Sequence, residues 1–377
     1  TSLNFSPLKN NPIYSLSVER AACRSMNLSP LKTCKLKVLS LKDCGVNSLN
    51  FQPLATSPLH KLYVINCPLK KIDVSPLKNT LTELWLGTLQ NTYFWEEINH
   101  KQTKPKYQLL DLSKMKKLKR VYACGVASLK TVKLKDTKTK QCIRSLLELH
   151  LYGTGIRTLD ATAAKNLKRL FVGDRIRKLT VDKCKKLKEI GMINLGSKQA
   201  ATIKSSSVQH IQYQGKTLKN LSFSKCPKLY TLSIKCTKVG TVNLRSNKRL
   251  HYMTLNSKKT GKVVYPKVST KGWHDCCDLV ETNYYKNLDE YKNDPDAKGV
   301  YKEYVGYTLE YPTKILDISA WTSLNKTVKR CMFGYGDFDH EKCATKKIII
   351  NKKLRKADKK WIKKFAKKWH VKVVEKL

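Results

Sequence analysis

One short motif returns along the chain at fixed distance, and that constrains the fold more than any other feature. Leu3-Asn4-Phe5-Ser6-Pro7-Leu8 is followed by Met26-Asn27-Leu28-Ser29-Pro30-Leu31, Leu49-Asn50-Phe51-Gln52-Pro53-Leu54 and Ile72-Asp73-Val74-Ser75-Pro76-Leu77, with first residues 23 apart each time. A decayed copy stands at Leu110-Asp111-Leu112-Ser113. Self-similarity at such a period is the signature of stacked repeat units.

Between the copies runs a second pattern, three aliphatic residues spaced L-x-x-L-x-L. It reads Leu36/Leu39/Leu41, Leu59/Leu62/Val64, Leu81/Leu84/Leu86 and Leu118/Val121/Ala123, and continues to Leu250/Met253/Leu255. Eleven copies fall between residues 13 and 255, mostly 20 to 23 residues apart. Alternate residues of a strand face one side, so L-x-L points two side chains inward. A single unit cannot bury that face alone, whereas stacked neighbours form a continuous core. The second half of each unit (Leu69/Ile72/Val74, Ile156/Leu159, Ile176/Leu179/Val181) is apolar at strand spacing too. It predicts extended backbone on an opposite wall, since a helix there would need about ten residues of 3.6 period. The prolines at 7, 30, 53 and 76 argue the same way.

Leu36-x-x-Leu39-x-Leu41-x-x-Cys44-x-Val46-x-x-Leu49-Asn50-Phe51, and the equivalent run from Leu59 through Cys67 to Ser75, resemble the bacterial leucine-rich repeat of internalin-like surface proteins. The resemblance covers roughly two thirds of the chain. It implies a leucine-rich repeat solenoid, β-rich with little helix: a curved parallel sheet of about eleven repeats that recognises partners on its surface. It implies a fold and not a ligand, because such repeats serve many functions.

Three segments are expected. Residues 1–262 form the solenoid, with insertions at about 87–117 and 135–145. Residues 263–330 form a Tyr-rich acidic insertion and an atypical repeat at Ile315-Leu316-Asp317-Ile318-Ser319. Residues 331–377 form a strand–helix–strand cap. In its helix Trp361, Ile362, Phe365, Ala366 and Trp369 share one face. A basic helix of this kind also suits an anionic membrane surface, but the flanking strands give it something to pack on, and an open solenoid end needs covering.

The residue between the last two apolar positions of each strand points away from the core. Down the stack it reads Ser17, Ser40, Tyr63, Trp85, Tyr122, His150, Phe171, Gly191, Gln212, Ser233, Thr254. Five rings on consecutive strands, Tyr63, Trp85, Tyr122, His150 and Phe171, make a candidate ligand-binding stripe for sugars, peptides or bases. The other reading is that they only cover the sheet or pack under the 87–117 insertion. Two residues earlier the strands carry Lys61, Glu83, Arg120, Glu148, Arg169 and Glu189, an alternation that sheet stability asks for. Tyr93, Phe94 and Trp95 in the first insertion are possible loop contacts.

Charge enters here. With 75 Lys+Arg against 28 Asp+Glu, the formal net charge is +47, which suits an anionic setting such as a cell wall, acidic glycan, nucleic acid or lipid surface. It is uneven: residues 275–310 hold nine acids against four Lys, whereas residues 346–377 hold 14 Lys/Arg against two acids. Lysine far outnumbers arginine, which argues against sequence-specific nucleic-acid readout.

The 13 cysteines include Cys44 and Cys67 at the repeat position that Asn or Cys fills, where a thiol packs as a small apolar group. Cys331 and Cys343 flank a short loop and are a possible disulfide if the protein is secreted. No C-x-x-C, P-loop, G-x-S-x-G, H-E-x-x-H or EF-hand pattern occurs, so no enzyme activity, cofactor or metal is expected. The start at Thr1-Ser2-Leu3, without Met, fits a processed product whose leader is already gone. The expected protein is a secreted or cell-surface monomer without a transmembrane segment. It binds a protein or glycan partner in adhesion; alternatively, its lysines bind an anionic polymer such as teichoic acid, acidic glycan or nucleic acid.

Overall fold

The computed structural model describes residues 2–88, 105–140, 142–173, 175–195, 203–250, 252–266, 306–309, 313–324, 329 and 345–376. The chain divides into two compact units, Thr1–Thr217 and Leu218–Leu377.

In the first unit each L-x-L segment is a front strand, and successive strands lie side by side, all parallel. Their order is Ser15–Glu19, Val38–Lys42, Lys61–Ile65, Glu83–Gly87, Arg120–Cys124, Glu148–Leu151, Arg169–Val172 and Glu189–Leu195, and then the start of His210–Ser222. The register advances one repeat at a time, pairing Leu39 with Leu62, Leu62 with Leu84 and Leu84 with Val121. All four side chains are fully buried. Each buried Leu or Val adds about 1.5–3 kcal/mol relative to exposure, and the core runs the length of the stack.

The chain leaves several front strands through a left-handed residue at one fixed place, filled by Arg20, Asp43, Asn66, Gly125 and Gly153. A Cβ on Gly125 would collide with the Thr88 hydroxyl, so this corner takes glycine.

The opposite wall is extended as expected where Ser2–Leu3 pairs in parallel with Ser25–Met26, and departs from that form in the second half of the recurrent motif. In the first four repeats it contains short 3₁₀ turns, Ser6–Leu8, Ser29–Thr33, Gln52–Leu54 and Ser75–Leu77, each with its proline in the first turn. Proline lacks an N–H that a first turn would leave unpaired in any case, so these prolines promote the turn they seemed to forbid. Later repeats carry longer wall strands: Leu109–Asp111 with Thr131–Lys133, and Thr158–Asp160 with Lys178–Thr180. In both forms the Asn or Asp of the recurrent motif accepts the backbone N–H two residues on. Asn4, Asn27, Asn50, Asp73, Asp111 and Asp160 do so at 2.8–3.0 Å. That bond is the physical reason for the L-N/D-x-S signature.

Part of the expected 87–117 insertion belongs to the solenoid: Tyr107 and Leu110 are buried and Leu109–Asp111 is a wall strand. The 135–145 segment is a tight turn, closed by a Lys135–Cys142 bridge and by Asp136 accepting the N–H of Lys138 and Thr139.

In the second unit, Thr231–Asn243 and Tyr252–Val264 are 13-residue strands that run through both walls, paired in parallel from Thr231/Tyr252 to Asn243/Val264. A further coil follows within the segment expected to be an insertion. Gly306–Leu309 pairs with the front part of Tyr252–Val264, and Thr313–Asp317 pairs with its rear part. Lys347–Asn351 and Lys372–Lys376 then continue the parallel array, joined by the helix Lys356–Lys368. Ile362 and Ala366 are buried, while Trp361, Phe365 and Trp369 are half-buried. This parallel coil stack, built on the L-x-x-L-x-L sequence, is a leucine-rich repeat solenoid with a small α/β end.

Buried polar side chains bridge consecutive coils. The Cys44 thiol donates to the Val18 carbonyl at 3.4 Å and Cys184 to Ala161 at 3.1 Å. The Asn247 amide donates to Phe223 and Cys226 at 2.9 Å each. Burial pushes the Cys67, Cys124 and Cys184 thiols up to about 12, so they remain protonated and unreactive. The cysteines among the described residues are free thiols.

Candidate functional site

The register that stacks the leucines also stacks what points outward. Ser17 pairs with Ser40, Ser40 with Tyr63, Tyr63 with Trp85, Trp85 with Tyr122, Tyr122 with His150, His150 with Phe171, and Phe171 with Gly191. All five predicted rings therefore stand in one row on adjacent strands. The centroid of Trp85 is 6.0 Å from Tyr63 and 3.9 Å from Tyr122. His150 lies 4.4 Å from Tyr122 and 4.5 Å from Phe171. Neighbouring planes differ by 19° to 32°. Such offset stacks add about 0.5–1.5 kcal/mol per pair beyond area burial.

Within the row the rings' faces are thus turned to one another, and the four from Tyr63 to His150 are half-buried. Phe171 differs. It is only 5% exposed and forms a buried cluster with Cys124 and Tyr152. Its ring lies over Gly191, where any Cβ would collide with it. Phe171 closes the row at this end, so it serves as the foundation of the stripe and presents little surface itself. Sequence spacing alone does not separate it from its half-buried neighbours; the glycine at the next position, Gly191, is the available signal.

Two carboxylates hold the polar tips. Glu83 Oε1 accepts the Trp85 indole N–H at 2.7 Å and the Tyr63 hydroxyl at 3.3 Å. Glu148 accepts the Tyr122 hydroxyl at 3.3 Å and the Arg169 guanidinium at 2.8 Å. Arg120 bridges both acids, 3.5 Å from Glu83 and 3.6 Å from Glu148. The expected charge alternation is therefore a network wired to the rings, beyond a set of cross-strand pairs. The His150 imidazole, 3.8 Å away, acts first, followed by Arg169 and Arg120, to hold the Glu148 carboxyl down to about 2 against the opposing effect of burial. Tyr122 is pushed up to about 12 by burial and then by Glu148, so its hydroxyl remains a donor.

What faces outward is a row of ring edges flanked by the half-exposed guanidinium groups of Arg120 and Arg169. The arrangement is rigid, apolar along its centre and cationic at its flank. Among the described residues no group of three or more His, Cys, Asp or Glu is placed to hold a metal ion. Tyr93, Phe94, Trp95, Cys331 and Cys343 lie outside the described residues. No helix among the described residues is long and apolar enough to cross a membrane.

No protein-family model matches the chain, and no curated protein matches it. Solved structures similar to it include the functional domain of InlJ from Listeria monocytogenes, which includes a cysteine ladder. That domain is 17% identical, with a TM-score of 0.42 over 72% of this chain. The chain spans 62% of that domain's length. A leucine-rich repeat protein of Leptospira interrogans is 13% identical, with a TM-score of 0.31 and 99% of both chains covered. The plant peptide hormone receptor RGFR1, solved in complex with RGF2, is 10% identical, with a TM-score of 0.31 over 90% of this chain and 74% of its own.

Proposed function

We propose that the protein is a non-enzymatic recognition module, secreted or held at a cell surface, whose ring stripe docks a protein partner in adhesion. The observation that carries this reading is the ring-to-ring stacking from Trp85 to Phe171 at 3.9–4.5 Å. A sugar that stacks on an aromatic residue needs a free ring face, and these faces are taken. Edges of Trp and Tyr beside Arg are the composition of a protein–protein hot spot, and the two carboxylates fix the rings before any partner arrives, which lowers the ordering cost.

The net charge of +47 favours a second reading, binding of an anionic polymer through lysine. Salt separates the two, since polyanion binding falls steeply with ionic strength. The test is an array of surface proteins and glycans probed with the whole chain at 50 and 500 mM NaCl. The expected result is protein hits that persist at the higher salt. Hits confined to glycans, or lost altogether at high salt, would overturn the first reading.

A further inference from the structure

A second surface lies on the turns that lead from the rear wall into the front strands. In four consecutive coils of the first unit this turn carries exposed basic side chains at matching places: Lys116 and Lys119, then Arg144, then Lys165 and Lys168, then Lys185 and Lys188. The backbone fixes their alignment. Leu147 N–H donates to the Lys119 carbonyl, Lys168 N–H to Leu147, and Lys188 N–H to Lys168, each at 2.8–2.9 Å. Neighbouring coils are therefore one strand spacing apart, about 4.8 Å. Among the described residues none of the seven forms an ion pair; Glu83 and Glu148 are engaged with the front arginines instead.

Solubility does not require this density. The same turn between Leu54 and Leu59 reads Ala55-Thr56-Ser57-Pro58 and carries no lysine. Cations stacked at strand spacing repel one another, so a ridge of them is a cost to folding that a bound polyanion would relieve.

We propose that this ridge binds a linear phosphodiester polymer with short, uncharged spacers, laid along the stack with successive phosphates meeting successive coils. Lysine is a compact, strongly hydrated point charge suited to phosphate without base or bidentate readout. No aromatic ring stands among the ridge residues between Lys116 and Lys119, Arg144 and Leu147, Lys165 and Lys168, or Lys185 and Lys188, so the stacking platform that single-stranded nucleic acids use is missing. An acidic polysaccharide charged only on alternate sugars would leave alternate coils unmatched. The proposal rests on the second, polyanion reading and gives it a location separate from the rings.

The test is a titration of the whole chain with fluorescent poly(glycerol phosphate) between 50 and 200 mM NaCl. Four phosphates, one per coil, at about 0.7 counterions each give a log–log slope near −3, a loss of about 50-fold across that range. The variant Lys116→Gln/Lys119→Gln/Lys165→Gln/Lys168→Gln, which strips the first and third of these coils, should bind at least 10-fold more weakly at 50 mM, with a slope reduced by about 1.4. Lys9→Gln/Lys32→Gln/Lys70→Gln/Lys71→Gln, which removes equal charge from other coils, should stay within about 2-fold of the wild type, because those contacts are not lost.

If the two variants weaken equally, binding follows diffuse charge: the ridge assignment fails while the polyanion reading stands. If the wild type does not bind at 50 mM, both fail. Tighter binding of single-stranded DNA or of polygalacturonate than of poly(glycerol phosphate) overturns the assignment to a short-spacer phosphate polymer.

Discussion

The front strands of the two units pair by the same rule and carry different cargo. From Lys61 to Val172 the outward positions are Tyr63, Trp85, Tyr122, His150 and Phe171. In the second unit they are Ser233 and Thr254, and these two hydroxyls hydrogen-bond across the strands at 3.0 Å. Both sets stand over equally buried leucines: Leu62, Leu84 and Leu149 in one unit, Leu232 and Leu255 in the other. Small hydroxyl residues therefore suffice to build this sheet. The rings and their two carboxylates are additions that the coil does not need, which is why they are read as recognition and not as scaffold.

If that is right, the core should respond alike in both units. Leu149→Ala and Leu232→Ala are each expected to cost about 2–5 kcal/mol, measured by urea unfolding followed by circular dichroism. A much smaller cost in one unit would show that the two are not built on the same core.

The second expectation concerns one motif in two settings. Asp73 caps its turn at the surface, whereas Asp317 is 2% exposed and holds Ser319 at 2.7 Å and Lys262 at 3.2 Å. Although burial works against it, the Ser319 and Lys262 contacts keep the Asp317 carboxyl below its usual range. Asp317→Ala should cost about 2–3 kcal/mol, and Asp73→Ala at most about 1 kcal/mol.

The third expectation sets the ring network apart by pH. Glu148 titrates at about 2 in the folded chain and at 4.5 when unperturbed. Its folded value is lowered, so the unfolded chain takes up the proton first. Its stabilisation is complete above pH 4.5 and is lost as pH falls toward 2. The unfolding free energy of the wild type should therefore decline more steeply between pH 4.5 and 2 than that of Glu148→Gln, by about 1–2 kcal/mol. Parallel curves would remove Glu148 from the network.

These contrasts also show what the sequence made legible. The front strands were readable because a two-residue alternation at a fixed repeat leaves one arrangement that buries every leucine, and the row of rings followed from the same register. The rear-wall turns were misread because proline was weighed as a breaker of long helices, and its fit to a first turn was overlooked. The further coil was only half visible, since its rear strand keeps the L-D-L-S element while its front segment keeps the repeat spacing with tyrosines in place of the first two aliphatic residues, Tyr304/Tyr307/Leu309. The clamp on Asp358 was not visible at all. This buried acid receives the Leu324 N–H at 2.9 Å, Arg355 at 2.8 Å and Lys329 at 2.7 Å, and two of those partners lie about thirty residues away in sequence, where no local pattern reaches. Which way Glu83 and Glu148 turn was equally hidden, because cross-strand alternation predicts their neighbours but not that they would gather the ring tips.

The most direct test removes ring edges while keeping the strand, using residues the second unit already tolerates. Trp85→Thr/Tyr122→Ser is to be measured in one experiment for urea midpoint and for affinity toward the partner identified on the array. The account predicts a cooperative unfolding transition within about 3 kcal/mol of the wild type, with affinity reduced at least 30-fold, the loss of about 2 kcal/mol expected of a hot-spot ring. Unchanged affinity in a folded variant would contradict it.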